Sequence, residues 1–254
     1  MRVGLFIPCY IDQFYPDVGL ATVEVLERYG CQCEYPVDQT CCGQPMANSG
    51  CAHQVAPLAR LFVKLFHQYD YVVSPSGSCV SMIRNHYDEH FDNDPQFEKV
   101  RSSTYELCEF LTKILHVEEV DIEFPYKVAL HPSCHGLREL RLGNCSEVMN
   151  DQGETIKKLL QSVKNIELAS LKRNDECCGF GGTFAVVEEG VSVLMGKDRL
   201  ADFRDAAVQV VTATDVSCLM HMQGLARRMG DNVEFMHIAQ IFAGRKPTSK
   251  AAAK

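Results

Sequence analysis

The chain has no excess of basic residues: 25 Lys and Arg stand against 33 Asp and Glu, a formal charge of −8 over 254 residues. That balance excludes a general nucleic-acid coat, whose phosphate contacts need a positive surface, and no nucleic-acid partner is expected. No apolar run approaches the roughly 18 residues of a membrane span. The apolar start, Val3 to Pro8, gives way at once to Cys9-Tyr10 and Ile11-Asp12-Gln13. It is too short for a signal-peptide core and no small-residue cleavage site follows, so a cytoplasmic location is expected. A G-x-G-x-x-G fingerprint is missing too: Gly179-Phe180-Gly181-Gly182 has the wrong spacing, and no P-loop lysine follows it. No nucleotide cofactor is therefore expected on this chain. Global disorder is excluded by a hydrophobic content of 46%, enough for a real core.

What is present in quantity is cysteine, 13 residues of it, in a chain whose expected compartment does not preserve disulfides. Metal or redox chemistry follows as the first expectation. The cysteines fall in a pattern stated twice. Val3-Gly4-Leu5-Phe6-Ile7-Pro8 leads to Cys9, Gln39-Thr40 to Cys41-Cys42-Gly43, and Tyr71-Val72-Val73-Ser74 through Ser78 to Cys79. Then Val128-Ala129-Leu130-His131-Pro132-Ser133 leads to Cys134, Asp175-Glu176 to Cys177-Cys178-Gly179, and Val208 through Ser217 to Cys218. Each copy closes alike, with Tyr105-Glu106-Leu107 and Met236-His237-Ile238 opening a last apolar helix. Five linked features repeated in order imply two homologous halves, 1–120 and 126–245, joined near 117–126 and followed by a flexible tail, 246–254.

Short apolar runs alternate with helical periodicity, the signature of an α/β fold with parallel sheets flanked by helices. Pro16 and Gly30 bracket a helix through Leu20, Val23 and Leu26, and Val55 to Tyr69 has the spacing of an amphipathic helix. Tyr71 to Ser74, Ile166 to Leu171 and Val208 to Thr214 read as strands, and Leu219 to Met229 as a helix. The strands are continuously apolar, so both sheet faces are covered. This topology puts every motif cysteine at the carboxyl edge of a sheet, where open α/β sheets place their sites. Cys9, Cys41, Cys42 and Cys79 then converge, as do Cys134, Cys177, Cys178 and Cys218. Four thiolates hold either zinc or an iron–sulfur cluster. Vicinal cysteines strain a single tetrahedral ion, which favours the cluster, while zinc or a redox-labile thiol pair stays open. Gly43 and Gly179 would let the backbone turn closely and donate amide hydrogens to sulfur.

These residues resemble the cysteine-rich (CCG) domain iron–sulfur family, which includes the cysteine-rich, disulfide-cleaving component of heterodisulfide reductase and the iron–sulfur subunit of glycolate oxidase. The resemblance rests on Ala21-Thr22-Val23-Glu24-Val25-Leu26-Glu27-Arg28, Cys41-Cys42-Gly43-Gln44-Pro45 and Ser74-Pro75-Ser76-Gly77-Ser78-Cys79. It continues through Cys177-Cys178-Gly179-Phe180-Gly181-Gly182-Thr183-Phe184 and Cys218-Leu219-Met220, so it spans nearly the whole chain. The ferredoxin-like Cys-x-x-Cys-x-x-Cys region of the glycolate oxidase subunit is missing, which points to a stand-alone member serving lactate. The resemblance implies two Rossmann-like half-domains related by a pseudo-twofold repeat. It also implies an electron-transfer subunit of a multi-protein system oxidising L-lactate to pyruvate, with two [4Fe-4S] clusters on the eight cysteines. Partners would be the other lactate-utilization subunits, a ferredoxin-type iron–sulfur protein among them; self-association stays open. The heterodisulfide reductase component has a further cysteine three residues after each motif, and here Met82 and His221 stand there. That departure argues against heterodisulfide cleavage, which remains the alternative beside oxidation of another 2-hydroxy acid such as glycolate.

Around the eight cysteines, Met82 reads as helix packing and His221 as a group near the site rather than on it. His131, His135 and Arg138 flank Cys134, able either to cap element ends or to tune the site. Ser76 and Ser78 could donate to sulfur or simply make the turn. Cys108 reads as a buried small hydrophobe, Cys31 and Cys33 as strand residues, and Cys51 as a neighbour of the first pair.

Overall fold

The computed structural model describes residues 1–248 except 150 and 152. The first half of the chain gives strands β1 (Arg2–Leu5), β2 (Gln32–Glu34), β3 (Tyr71–Ser74) and β4 (Thr104–Glu106). The second gives β5 (Lys127–His131), β6 (Glu167–Leu168), β7 (Val210–Ala213) and β8 (Glu234–His237). They form two four-stranded sheets of identical order, β2-β1-β3-β4 and β6-β5-β7-β8. Every pairing is parallel, so each connection must cross over a sheet face through helix. The expected α/β architecture of two Rossmann-like halves is thereby observed.

The helices of the first half are α1 (Cys9–Phe14), α2 (Pro16–Arg28), α3 (Gln44–Asn48), α4 (Ala56–Phe66), α5 (Gly77–His86), α6 (Pro95–Ser103) and α7 (Leu107–Lys113). Those of the second are α8 (Thr155–Gln161), α9 (Phe184–Val187), α10 (Glu189–Asp205), α11 (Val216–Met229) and α12 (Ile238–Phe242). Val3, Leu5, Val72 and Val73 of the first sheet, and Val128, Ala129, Val210 and Val211 of the second, are buried, as strands covered on both faces must be. The closing helices start on side-chain caps: Glu106 accepts from the Cys108 and Glu109 amides, and His237 Nδ1 from the Ala239 amide.

The two halves exchange helices. α12, which follows β8, packs on α2 of the first half, while α7, which follows β4, packs on α8 of the second. Near the site the same exchange recurs: α11 meets α1, and α5 meets the π-helical turn His135–Glu139. Each contact is the image of another under interchange of the halves, which is a pseudo-twofold relation. One buried cluster therefore runs from Val3, Val25 and Leu111 of the first half to Leu159, Ile241 and Phe242 of the second.

Two local expectations differ from what is observed. Leu20 is 58% exposed, and α2 buries Val18, Ala21, Thr22, Val25 and Leu26 instead. Two residues from Val18, Leu20 lies about 200° around the helix, on the far face. The strand expected over Ile166 to Leu171 is regular only at Glu167–Leu168, because Leu171 turns inward to the apolar cluster of the second half. The join, 117–126, is packed: Val117, Val120 and Phe124 are buried, and the Glu123 backbone forms a β-bridge with Lys164. Of the expected tail, Thr248 donates to Glu234, and 249–254 lie outside the described residues.

Candidate metal centre

Each half delivers its cysteines from three equivalent places. Cys9 opens α1 just beyond β1, and Cys134 precedes the π-helical turn just beyond β5. Cys41-Cys42 and Cys177-Cys178 lie in the loops leading to α3 and α9, and Cys79 and Cys218 sit in the first turns of α5 and α11. All are free thiols, and all eight line a single cleft between the halves. In the first set Cys9 Sγ lies 3.7 Å from Cys41 Sγ, and Cys42 Sγ 3.4 Å from Cys79 Sγ. In the second, the Cys134 and Cys177 thiols, and the Cys178 and Cys218 thiols, lie close enough to interact electrostatically. The Gly43 and Gly179 amides donate to Cys41 Sγ at 3.4 Å and Cys177 Sγ at 3.3 Å. Both glycines hold positive φ, +85° and +86°, and a Cβ on Gly179 would fall 2.6 Å from the Ser192 carbonyl oxygen.

The electrostatics repeat between the halves. Hydrogen bonds from Cys42 and Cys9, helped by the Gly43 amide, hold the Cys41 thiol down to about 3, a thiolate. Hydrogen bonds from Cys134 and Cys178, with the Gly179 amide, bring Cys177 to about 2. Cys9 and Cys134 are pushed up, first by their bonds to those thiolates and then by burial, so they keep their protons as donors. Cys42 and Cys178 are raised for the same reasons. Each set thus offers one formed thiolate and neighbouring thiols that a metal would deprotonate.

Across the cleft the halves touch through side chains the repeat does not share. Asp215, 2% exposed, accepts from Ser76 Oγ at 2.9 Å, the Ser78 amide at 3.0 Å, Ser78 Oγ at 2.7 Å and Ser133 Oγ at 2.7 Å. Burial pushes its carboxyl up, but these bonds outweigh burial and hold it below the usual carboxylate range. Gly77 lets α5 approach the other half, since a Cβ there would lie 3.1 Å from Asp215 Oδ2. The Tyr10 ring meets the Phe180 ring edge-on at 5.9 Å, and Gln44 Nε2 lies 3.0 Å from His135 Nε2.

Ser78 therefore spends its hydroxyl on Asp215 rather than on sulfur. His135 and Ser78 line the cleft; Met82 and His221 do not. Met82 is buried in the apolar cluster that also holds Cys42 and Cys79. His221 is half-buried, its Nε2 3.4 Å from the Ser192 carbonyl, and burial lowers its pKa. Cys31, Cys33, Cys51, Cys108 and Cys145 lie off the cleft. His131 is brought closer than expected: one of its ring nitrogens and the Sγ atoms of Cys178 and Cys218 all lie within 4.8 Å of one another. Burial, then the charge of Arg199, lowers its pKa to about 3, so the ring is neutral. Two residues escaped the sequence reading, Asp215 and the fully buried Arg199. Asp215 had a signal, since it stands where the first copy has Ser76; Arg199 sits in an unremarkable helix and had none.

Comparison with known proteins accords with this geometry. The signature of the cysteine-rich domain, CCG, matches residues 3–84 and again 128–223. Lactate utilization protein A of Halalkalibacterium halodurans is 39% identical over 254 residues, covering 98% of this chain and 99% of that protein. Its namesake in Bacillus subtilis is 39% identical over 249 residues, 96% of this chain and all of that one. A crystal structure of a hypothetical protein from Helicobacter pylori superposes with a TM-score of 0.62 at 14% identity, over 95% of this chain and 48% of that one. That likeness concerns the fold. With the motif matched twice and the relatives matched end to end, the chain belongs to the cysteine-rich CCG domain family, alongside the lactate utilization A proteins.

Proposed function

We propose that this protein is an iron–sulfur electron-transfer subunit of a multi-protein system that oxidises L-lactate to pyruvate. The observation that carries it is the convergence of eight free thiols, in two like sets, on one cleft between the halves. The donor set fits the group: soft sulfur ligands only, a thiolate already formed in each set, and glycine amides turned toward sulfur. Cys9, Cys41, Cys42 and Cys79 would hold one [4Fe-4S] cluster, and Cys134, Cys177, Cys178 and Cys218 the other. Bound there, such clusters supply reversible one-electron transfer. The chain's own contribution is to bury Cys42, Cys79, Cys178 and Cys218, to cover the cleft with Tyr10 and Phe180, and to tie the halves at Asp215. Lactate oxidation releases two electrons and two protons; no nucleotide fingerprint or P-loop is present, so the reading assigns the chemical step to a partner subunit. The lactate assignment rests on the names of the relatives.

A second reading has an observation in its favour. The 3.7 Å between Cys9 and Cys41 sulfurs is close to the edge of a Cys₄ zinc tetrahedron, about 3.8 Å for 2.3 Å bonds. Anaerobic purification and reconstitution, with iron, acid-labile sulfide and zinc counted per chain beside a reduced EPR spectrum, separates the two. The expected result is about eight irons and eight sulfides, two cubes' worth. Near-zero iron with zinc bound would remove the electron-transfer role.

A further inference from the structure

We propose that His131 serves the second cysteine set as a hydrogen-bond donor to sulfur, not as a metal ligand, and so gives that set a higher reduction potential than the first. The proposal deepens the iron–sulfur reading and rests on it. A histidine within 4.8 Å of two cysteine sulfurs is, on spacing alone, an obvious ligand. Its far side decides otherwise. Arg199, fully buried on α10, points its Nε at His131 Nδ1 across 3.3 Å. A guanidinium can only donate, so Nδ1 must be the accepting, unprotonated nitrogen. A doubly protonated ring would set N–H against N–H, and a neutral ring has one proton, which must then sit on Nε2. Nε2 is buried and has no protein partner among the described residues. Carrying a proton, it has no lone pair in the ring plane to give a metal; one ring nitrogen lies within 4.8 Å of the Cys178 and Cys218 sulfurs, and with Nδ1 turned to Arg199 we take Nε2 as the nitrogen that serves them.

The first half has nothing equivalent among the described residues. Phe6 stands three residues before Cys9 as His131 stands before Cys134. It is fully buried, edge-on to Phe62 and Phe66 at 4.9 and 5.9 Å. α4, the counterpart of α10, buries Ala59, Phe62, Val63 and Phe66 and no charge. The first cysteine set is therefore backed by aromatic rings and by Tyr87, whose hydroxyl donates to the Cys42 carbonyl at 2.8 Å, the second by a histidine N–H and a buried guanidinium. Reduction adds negative charge to the site, and a donor aimed at sulfur stabilises the reduced state more than the oxidised one. The Arg199 charge is offset by Asp202 at 3.1 Å, which leaves the hydrogen bond as the main difference. An electron entering this protein comes to rest on the second set.

The test uses the full chain, reconstituted as wild type, His131→Phe and His131→Gln, with iron counted first and EPR-monitored redox titration second. The expected wild type has two potentials. In His131→Phe one of them falls by about tenfold in the reduced-to-oxidised ratio at fixed potential, ~59 mV for one electron. The other stays, iron content stays, and His131→Gln, which keeps an N–H, restores most of the shift. Pulsed EPR of wild type labelled with ¹⁵N-histidine, in H₂O and D₂O, needs no variant: an exchangeable proton coupling with weak nitrogen coupling is expected. Strong nitrogen coupling, or unchanged potentials in an iron-loaded His131→Phe, overturns the proposal while leaving the iron–sulfur reading intact. Absence of iron from the wild type overturns that reading and this proposal with it.

Discussion

Glu106 ends β4 fully buried, with Oε2 capping α7 and Oε1 without a partner among the described residues. Burial, the largest influence, outweighs the two amide bonds and pushes its carboxyl up to about 8, so at neutral pH it is folded in its protonated form. The unfolded chain releases this proton near the ordinary 4.5. The stabilising contribution is thus fully present below 4.5 and lost as pH rises through 8, at up to about 1.4 kcal/mol per pH unit. Glu106→Gln keeps the capping carbonyl and stays neutral. Its urea midpoint is expected to be flat between pH 5 and 8 relative to the falling wild type; parallel curves would mean that Glu106 is already ionised. Residues like this, and like Asp215, His131 and Arg199, were the least legible from sequence. Periodicity reveals what repeats, whereas a buried charge or donor takes its role from neighbours more than 60 residues away, such as His131 from Arg199.

At the scale of elements, the helices that hold the halves together matter more than their length suggests. α12 has only five residues, yet Ile238, Ala239, Ile241 and Phe242 are fully buried, and Arg28 donates to the Phe242 carbonyl at 2.7 Å. Phe242→Ala is expected to cost about 3–5 kcal/mol by urea unfolding, because it leaves a cavity in the shared core. Leu20→Ala in α2, on the exposed face, should change stability by under about 0.5 kcal/mol. Equal costs for the two would remove α12 from the core. The sequence reading found α2, α4, β3, β7 and α11 within a few residues, because each has a clear period and a stop signal. It overextended β6, since an apolar run at a sheet edge has the same composition whether it pairs or turns inward.

At the scale of the molecule, the shared buried cluster makes the two halves one cooperative unit. The full chain is expected to unfold in a single transition, with far-UV CD and tyrosine fluorescence coincident. A fragment of residues 1–120 leaves the faces of α2 and α7 that meet α12 and α8 uncovered, and should aggregate or bind ANS; a soluble, cooperatively folding monomer would contradict this. By itself the sequence determined the repeat, the parallel α/β class and the eight cysteines, because strand and helix periods and motif order are local properties of the chain. Only the tertiary structure decided that the two sets open on one cleft, that the halves are interlocked by exchanged helices, and that His131 lies between a buried guanidinium and two cysteine sulfurs. Each of these depends on which side chains meet across the pseudo-twofold axis, where Ser76 faces Asp215 and Phe6 has become His131. Contacts between unlike residues at equivalent positions leave no period to read.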